Sequence, residues 1–288
     1  MFNDLSCRFR VQEGIAIAWK IDKEKSSRSK KGIERELSVS RSLVEDKNIG
    51  QEYWERLEGK NYAAKKIDDR AFRTLEKLCP SIKGKKVLVV GCGGGKDIEW
   101  ILSKGAKEVV GTDISLDLLR VSKKRFSSKK RRPSYYFLAN AEDLPVKKDS
   151  FDMVLFGSAL HHVPNYKKAL ASACKIAPVV MAVAEPSSMG ILGRLLSCFD
   201  WCTEYGGLPT HRFKKKDLEK QLVRLGFEAK IRTNFVWFPL KLLKAVANNR
   251  SFVNYYFFLL SVADVFLGRW GHNLTLVAIR KDVHKKLL

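Results

Sequence analysis

The chain has 288 residues, 45% of them hydrophobic, enough for one sizeable core with extensions around it but not for two full α/β domains. Lys and Arg (54) outnumber Asp and Glu (31), and the resulting net charge of +23 favours negatively charged partners: nucleic acid, anionic lipid or an acidic substrate. Six cysteines (Cys7, Cys79, Cys92, Cys174, Cys198, Cys202) form no Cys-x-x-Cys pair, which argues against a disulfide framework and for reduced thiols in a cytoplasmic setting.

Residues 1–48 mix Lys, Arg, Glu and Ser without sustained periodicity and read as a basic, mobile extension, with the ordered domain running over 49–288. The apolar patch Gly14 to Trp19 is too short for the core of a signal peptide. Tyr53, Trp54, Leu57, Tyr62, Ala63, Ile67, Phe72, Leu75 and Leu78 recur at helical spacing and predict one or two helices able to cover a pocket. Tyr62 and Lys66 also spell the Tyr-x-x-x-Lys of short-chain dehydrogenases, but they precede the glycine turn described next and read as one helix face.

Val87, Leu88, Val89 and Val90 are apolar on both faces of a strand, as in a central parallel strand covered by helices. Gly91, Gly93 and Gly95 then allow a sharp turn and let a ligand approach backbone amides at a helix start. A second strand, Glu108 to Asp113, ends in an acid about twenty residues on, where a carboxylate accepts hydrogen bonds from two ribose hydroxyls in a βαβ nucleotide site. Lys96 stands where the third glycine of the dinucleotide fingerprint would be, so the spacing is Gly-x-Gly-x-Gly instead.

The alternation continues with elements at Asp97–Lys104, Ser115–Arg125, Tyr135–Leu138, Asp152–Phe156, Tyr166–Ile176 and Val179–Ala184, then late strands at Phe227–Phe235 and Leu274–Arg280. Such alternation predicts a doubly wound, mostly parallel sheet with helices on both faces. Two stretches break it, at about 187–212 and 236–270, and both are rich in aromatic and aliphatic residues. They read as cap or lid insertions. The run Phe252 to Leu267 approaches the length of a membrane span, but Asn254 and Asp264 interrupt it, leaving a buried cap helix, an apolar substrate pocket or a membrane-facing surface as its readings. Cys198, Cys202 and His211 lack a fourth ligand, so no metal is expected.

Four motifs occur in order: Gly91-Cys92-Gly93-Gly94-Gly95, Ala141-Glu142-Asp143-Leu144-Pro145, Phe151-Asp152-Met153-Val154 and Leu160-His161-His162-Val163. Together they resemble the class I S-adenosylmethionine-dependent methyltransferases, in particular the type 11 branch that includes quinone-biosynthesis and other small-molecule enzymes. The resemblance implies a Rossmann-like seven-stranded sheet closed by an antiparallel hairpin insert, with S-adenosyl-L-methionine held by Gly91, Cys92, Gly93, Gly95, Asp113, Ile114, Asn140, Ala141 and Glu142. Two residues depart from the pattern. Val89 replaces the usual acid near the methionine amino group, and Asn140 replaces an Asp at the adenine, where its amide oxygen can still accept.

His161 and His162 leave the fourth strand at its carboxyl end, where ligands bind in open α/β sheets, and are the candidate general bases. Tyr205 and His211 are weaker candidates, and Glu185 either orients substrate or begins the lid. The reading is therefore a methyltransferase acting on a small-molecule or lipid-type acceptor, with peripheral contact to an anionic membrane. The rivals are an RNA methyltransferase, motivated by Arg120 to Arg132 and Lys214 to Lys216, and a non-catalytic cofactor-binding protein, motivated by Val89 and Asn140.

Overall fold

The computed structural model describes residues 5, 8–18, 27–45, 53–55, 57–188, 211–235 and 246–283. Among these, nine strands form one sheet: β1 (Phe9–Gln12), β2 (Ile15–Ala18), β3 (Lys86–Val90), β4 (Glu108–Asp113), β5 (Tyr135–Leu138), β6 (Met153–Gly157), β7 (Val179–Pro186), β8 (Phe227–Asn234) and β9 (Asn273–Arg280). Their spatial order is β1-β2-β5-β4-β3-β6-β7-β9-β8. The strands from β5 to β7 pair in parallel, and β9 runs antiparallel between β7 and β8. Seven strands thus follow the expected arrangement, hairpin insert included.

Side chains of β3 alternate between two layers, Val87 and Val89 packing with one apolar cluster and Leu88 and Val90 with the other. On the first face lie α2 (Tyr62–Leu78), α3 (Lys96–Ser103) and α4 (Leu116–Phe126), which contribute Phe72 and Leu75, Ile98 and Ile101, and Leu119. The second face is covered by α5 (Tyr166–Ile176) and α6 (Lys215–Arg224) through Leu170, Ala173, Leu218 and Leu222. Helix starts are marked by side-chain caps, Asn61 for α2, Ser115 for α4 and Asn165 for α5. The order in which strands are added reverses between the parallel strands β3 and β6, so a crevice opens beyond their carboxyl ends.

The N-terminal region departs from the mobile extension expected for residues 1–48. Residues 9–18 form a hairpin whose β2 pairs in parallel with β5 and extends the sheet to nine strands. Its two-residue turn, Glu13 and Gly14, has φ of 51° and 70°, the mirror-image geometry that matches strand twist. Ile15 and Ala16 are fully buried, and the Glu13 carboxylate pairs with Arg120 of α4. Burial of two apolar side chains outweighs the polar average that made the segment read as disordered. Beyond it, α1 (Ser27–Glu45) packs near α4 and reaches the crevice.

Of the expected caps, residues 189–210 and 236–245 lie outside the described residues. The described remainder contains α7 (Arg250–Leu267), which is not buried as a whole: Val253 and Phe257 pack with Ala63 and Ala247, while most of its outer side chains are exposed. Arg70 of α2 clamps it by donating to the Phe235 carbonyl (2.8 Å), to Ser261 Oγ (2.6 Å) and to the Asp264 carboxylate.

His272 enters β9 with its ring against Phe235, and its carbonyl accepts from the Ser187 amide at 2.7 Å. Burial, with help from the Arg212 charge, lowers its pKa from 6.5 to about 4. Between those values the unfolded chain binds the extra proton, so stability falls as pH drops from 6.5 towards 4, by up to about 3 kcal/mol. Urea denaturation at pH 7 and pH 4.5 should show the wild type losing that much more stability on acidification than His272→Gln.

Candidate cofactor and acceptor site

The crevice contains a cavity of about 290 Å³, at the low end for small-molecule sites, framed by the ends of β3, β4, β6 and β7 and by α1. Gly91, at φ 66°, lies so close to the loop after β6 that an added Cβ would stand 2.5 Å from that of Ala159. Gly95, at φ 89°, starts α3 against Ser122, where a Cβ would come within 2.4 Å of the hydroxyl. Both positions therefore require glycine, for backbone conformation and for space.

Asp113 closes β4 and is buried. One carboxylate oxygen accepts from the Gly93 amide at 2.8 Å and the other from Ser115 at 2.9 Å. Burial pushes its pKa up, while those amides and that of Ile114 pull it back. A carboxylate offers about four acceptor positions, so capacity remains for hydroxyl donors in the cavity. The Tyr53 hydroxyl lies over the turn and accepts from the Gly94 amide at 2.9 Å. Cys92 lines the cavity with its thiol pushed well up by burial, which keeps it protonated and poorly nucleophilic.

Of the residues expected to hold the cofactor, Gly91, Cys92, Gly93, Asp113, Ile114, Asn140 and Ala141 line the cavity, whereas Gly95 and Glu142 support it from behind. Asn140 Oδ1 accepts from the Glu142 amide at 2.9 Å, shaping the loop. Glu142 turns away, its carboxylate accepting from the Asn165 amide at the start of α5 (2.9 Å), because an orphan helix-start donor needs an acceptor there.

The two histidines separate. His162 lines the cavity, and its Nδ1 is 3.8 Å from a carboxylate oxygen of Glu36 on α1. His161 has no exposed surface, and its Nδ1 is 2.6 Å from Glu185 Oε2. That carboxylate also accepts from the amides of Ala159 (3.2 Å), Leu160 (3.0 Å) and His161 (3.0 Å). Of the two candidate bases, only His162 lines the cavity: His161 is buried behind the wall, and Glu185 is a clasp between β7 and the loop after β6. His211 is likewise scaffold, its Nε2 3.2 Å from the Pro164 carbonyl and its ring against Tyr166. Tyr205 lies outside the described residues.

Several cavity residues had no motif to announce them. Val89 is fully buried among apolar neighbours, and a cavity-lining carboxylate comes instead from Asp97 at the first turn of α3. A Cβ on Gly157 would lie 2.0 Å from that carboxylate, so the absence of a side chain at the end of β6 admits it. Lys96, the residue that broke the dinucleotide spacing, pairs with Asp68 of α2 beside the cavity. Ser158 and Ala184, both lining the cavity, hold φ of 53° and 59°, and such strain in side-chain-bearing residues concentrates at functional sites.

A doubly wound sheet with a glycine turn, a carboxylate closing the next strand and a cavity at the switch point is the arrangement in which α/β proteins hold nucleotide-type cofactors. Residues 88–177 match the family profile described as Methyltransferase domain. An S-adenosylmethionine-dependent methyltransferase structure from Thermotoga maritima, titled as a possible histamine N-methyltransferase, has a TM-score of 0.55 at 16% identity, over 84% of this chain and 100% of that one. The magnesium protoporphyrin IX methyltransferase of Synechocystis, solved with S-adenosylmethionine, has a TM-score of 0.52 at 16% identity, over 86% and 97%. Among curated sequences, the ubiquinone biosynthesis O-methyltransferase of Idiomarina loihiensis is 31% identical over 148 residues, which are 48% of this chain and 60% of that one. The ubiquinone/menaquinone biosynthesis C-methyltransferase of Bartonella bacilliformis is 36% identical over 100 residues, 34% of this chain and 38% of that one. The alignments thus span between about two fifths and three fifths of these curated relatives' lengths. Residues 88–177 are thus similar to a methyltransferase domain, in a chain that shares the fold of the solved S-adenosylmethionine-dependent methyltransferases. S-adenosyl-L-methionine is the cofactor of that class, and the donor set fits it: a carboxylate with spare acceptor capacity, a glycine turn, and polar backbone around Asn140 and Ala141.

Proposed function

We propose that the protein transfers a methyl group from S-adenosyl-L-methionine to a small-molecule acceptor of apolar, quinone-like or lipid-like character. The observation that carries this is a single cavity lined both by Asp113 and the glycine turn and by His162, Val163, Ile33 and Leu57, so that cofactor-type polar groups, an imidazole and apolar side chains share one space. Asp113 accepts from the ribose hydroxyls, Asn140 from the adenine amino group, and Asp97 supplies the charge for the methionine ammonium that Val89 cannot. Bound there, the cofactor would supply an electrophilic methyl group on its sulfonium, with the thioether as leaving group. The chain's part is alignment, exclusion of water, and removal of the acceptor's proton by His162.

Calorimetric titration tests the cofactor assignment. Asp113→Ala should weaken S-adenosylmethionine binding about ten- to hundredfold, equivalent to roughly 1.5–3 kcal/mol, and Asp97→Asn should weaken it in the same direction. Unchanged affinity in Asp113→Ala, or tight binding of NADH instead, rejects it. The RNA reading is less favoured because Arg120, Arg125 and Lys129 of its basic clusters pair with Glu13, Asp117 and Glu99 of the chain itself. A non-catalytic binder would show cofactor affinity with no release of S-adenosylhomocysteine on any quinol or lipid acceptor.

A further inference from the structure

The outer face of α7 carries a second property of the chain. At 100° per residue, Phe252, Tyr255, Phe258, Val262, Val265 and Phe266 fall within an arc of about 140°. They are 38–79% exposed. No charged residue interrupts the arc: Arg250 stands at the first turn, and Asp264, the other charge in the helix, turns inward to Arg70 and to the Phe235 amide. So extended an apolar face, anchored at its back by Val253 and Phe257, marks a binding surface rather than scattered surface hydrophobes.

The surroundings of that face select the partner. Arg250 lies over the Tyr62 ring at 5.6 Å and Lys66 over the same ring at 5.5 Å, so cations gather where α2 meets the start of α7. Lys65 follows on the exposed side of α2, within a chain of net charge +23. Apolar side chains in one exposed arc, with cations clustered about the first turn of the helix in a strongly basic chain, are the arrangement of a helix lying in a lipid interface, where rings enter the acyl boundary and cations meet anionic headgroups. Among the described residues no helix is long and apolar enough to cross a membrane. The arc offers almost no hydrogen-bonding group with which a protein partner could fix a register.

We infer that α7 is a peripheral membrane-docking helix that seats the protein on an anionic lipid surface through its Phe252-to-Phe266 face. The inference does not depend on methyl transfer, since docking is measured without cofactor or acceptor.

Sedimentation of the full chain with phosphatidylcholine vesicles containing phosphatidylglycerol, compared with vesicles of phosphatidylcholine alone, tests it. The wild type should pellet with anionic vesicles and less so as salt rises. The double variant Phe258→Ser, Phe266→Ser should bind them at least about tenfold more weakly, since each ring loses more than one buried methylene's worth of transfer. Both rings are largely exposed (62% and 74%), so circular dichroism and the thermal midpoint should be retained. Val265→Ser, at 79% exposure, provides a second reading at smaller amplitude. Absence of vesicle binding overturns the inference, as does equal binding by wild type and variants. A wild-type dimer that the double variant abolishes, without vesicle binding, would assign the face to self-association and overturn it too.

Discussion

Glu185→Ala is expected to cost about 3–5 kcal/mol of stability, the range for removing one partner from a buried, hydrogen-bonded polar network. The carboxylate is fully buried and accepts from three consecutive backbone amides as well as facing His161 Nδ1. Alanine leaves those donors without an acceptor where water has no access, and each buried orphan costs about 1–3 kcal/mol. Glu185→Gln should fall between, because one amide oxygen can serve only part of the set. Urea denaturation measures the difference. A loss below about 1 kcal/mol for the alanine variant would mean that the loop after β6 re-forms its hydrogen bonds elsewhere, and the clasp would be refuted. Because Ser158 and Ala184, at the two ends joined by this clasp, hold positive φ, the variant should also weaken cofactor binding through a relaxed cavity wall.

The parallel core was legible because its strands are buried on both faces and therefore read as unbroken apolar runs, as Val87 to Val90 and Met153 to Phe156 do. The turn at Gly91 to Gly95 was legible because steric demands there leave few alternatives to glycine. The hairpin at Phe9–Ala18 was not, since its outer strand Phe9–Gln12 stays exposed and the buried pair Ile15 and Ala16 is too short a signal against polar surroundings. Charge roles were hidden in a different way. Glu142, Glu185 and Asp113 are all acids near the same crevice, and only tertiary geometry decides that the first accepts from the Asn165 amide ahead of α5, the second clasps a loop and the third faces the cavity. Asp97 and Glu36 could not be assigned from spacing, because each reaches the cavity from an element whose position depends on packing far away in sequence.

His162→Ala is expected to reduce turnover by about 10²–10⁴-fold while leaving S-adenosylmethionine binding nearly intact, the amplitude of general-base assistance by a positioned side chain. The imidazole lines the cavity with a Glu36 carboxylate oxygen 3.8 Å from its Nδ1, and it is not among the groups proposed to contact the cofactor, Asp113, Asn140 and Asp97. Release of S-adenosylhomocysteine under saturating cofactor and acceptor isolates the catalytic step from binding. His161→Asn should behave differently: buried against Glu185, it should lower stability, with the folded fraction retaining its turnover. That split distinguishes chemistry from scaffolding in adjacent residues. If His162→Ala keeps full turnover on the true acceptor, proton removal is not limiting and the enzyme accelerates transfer by alignment of the reacting atoms alone.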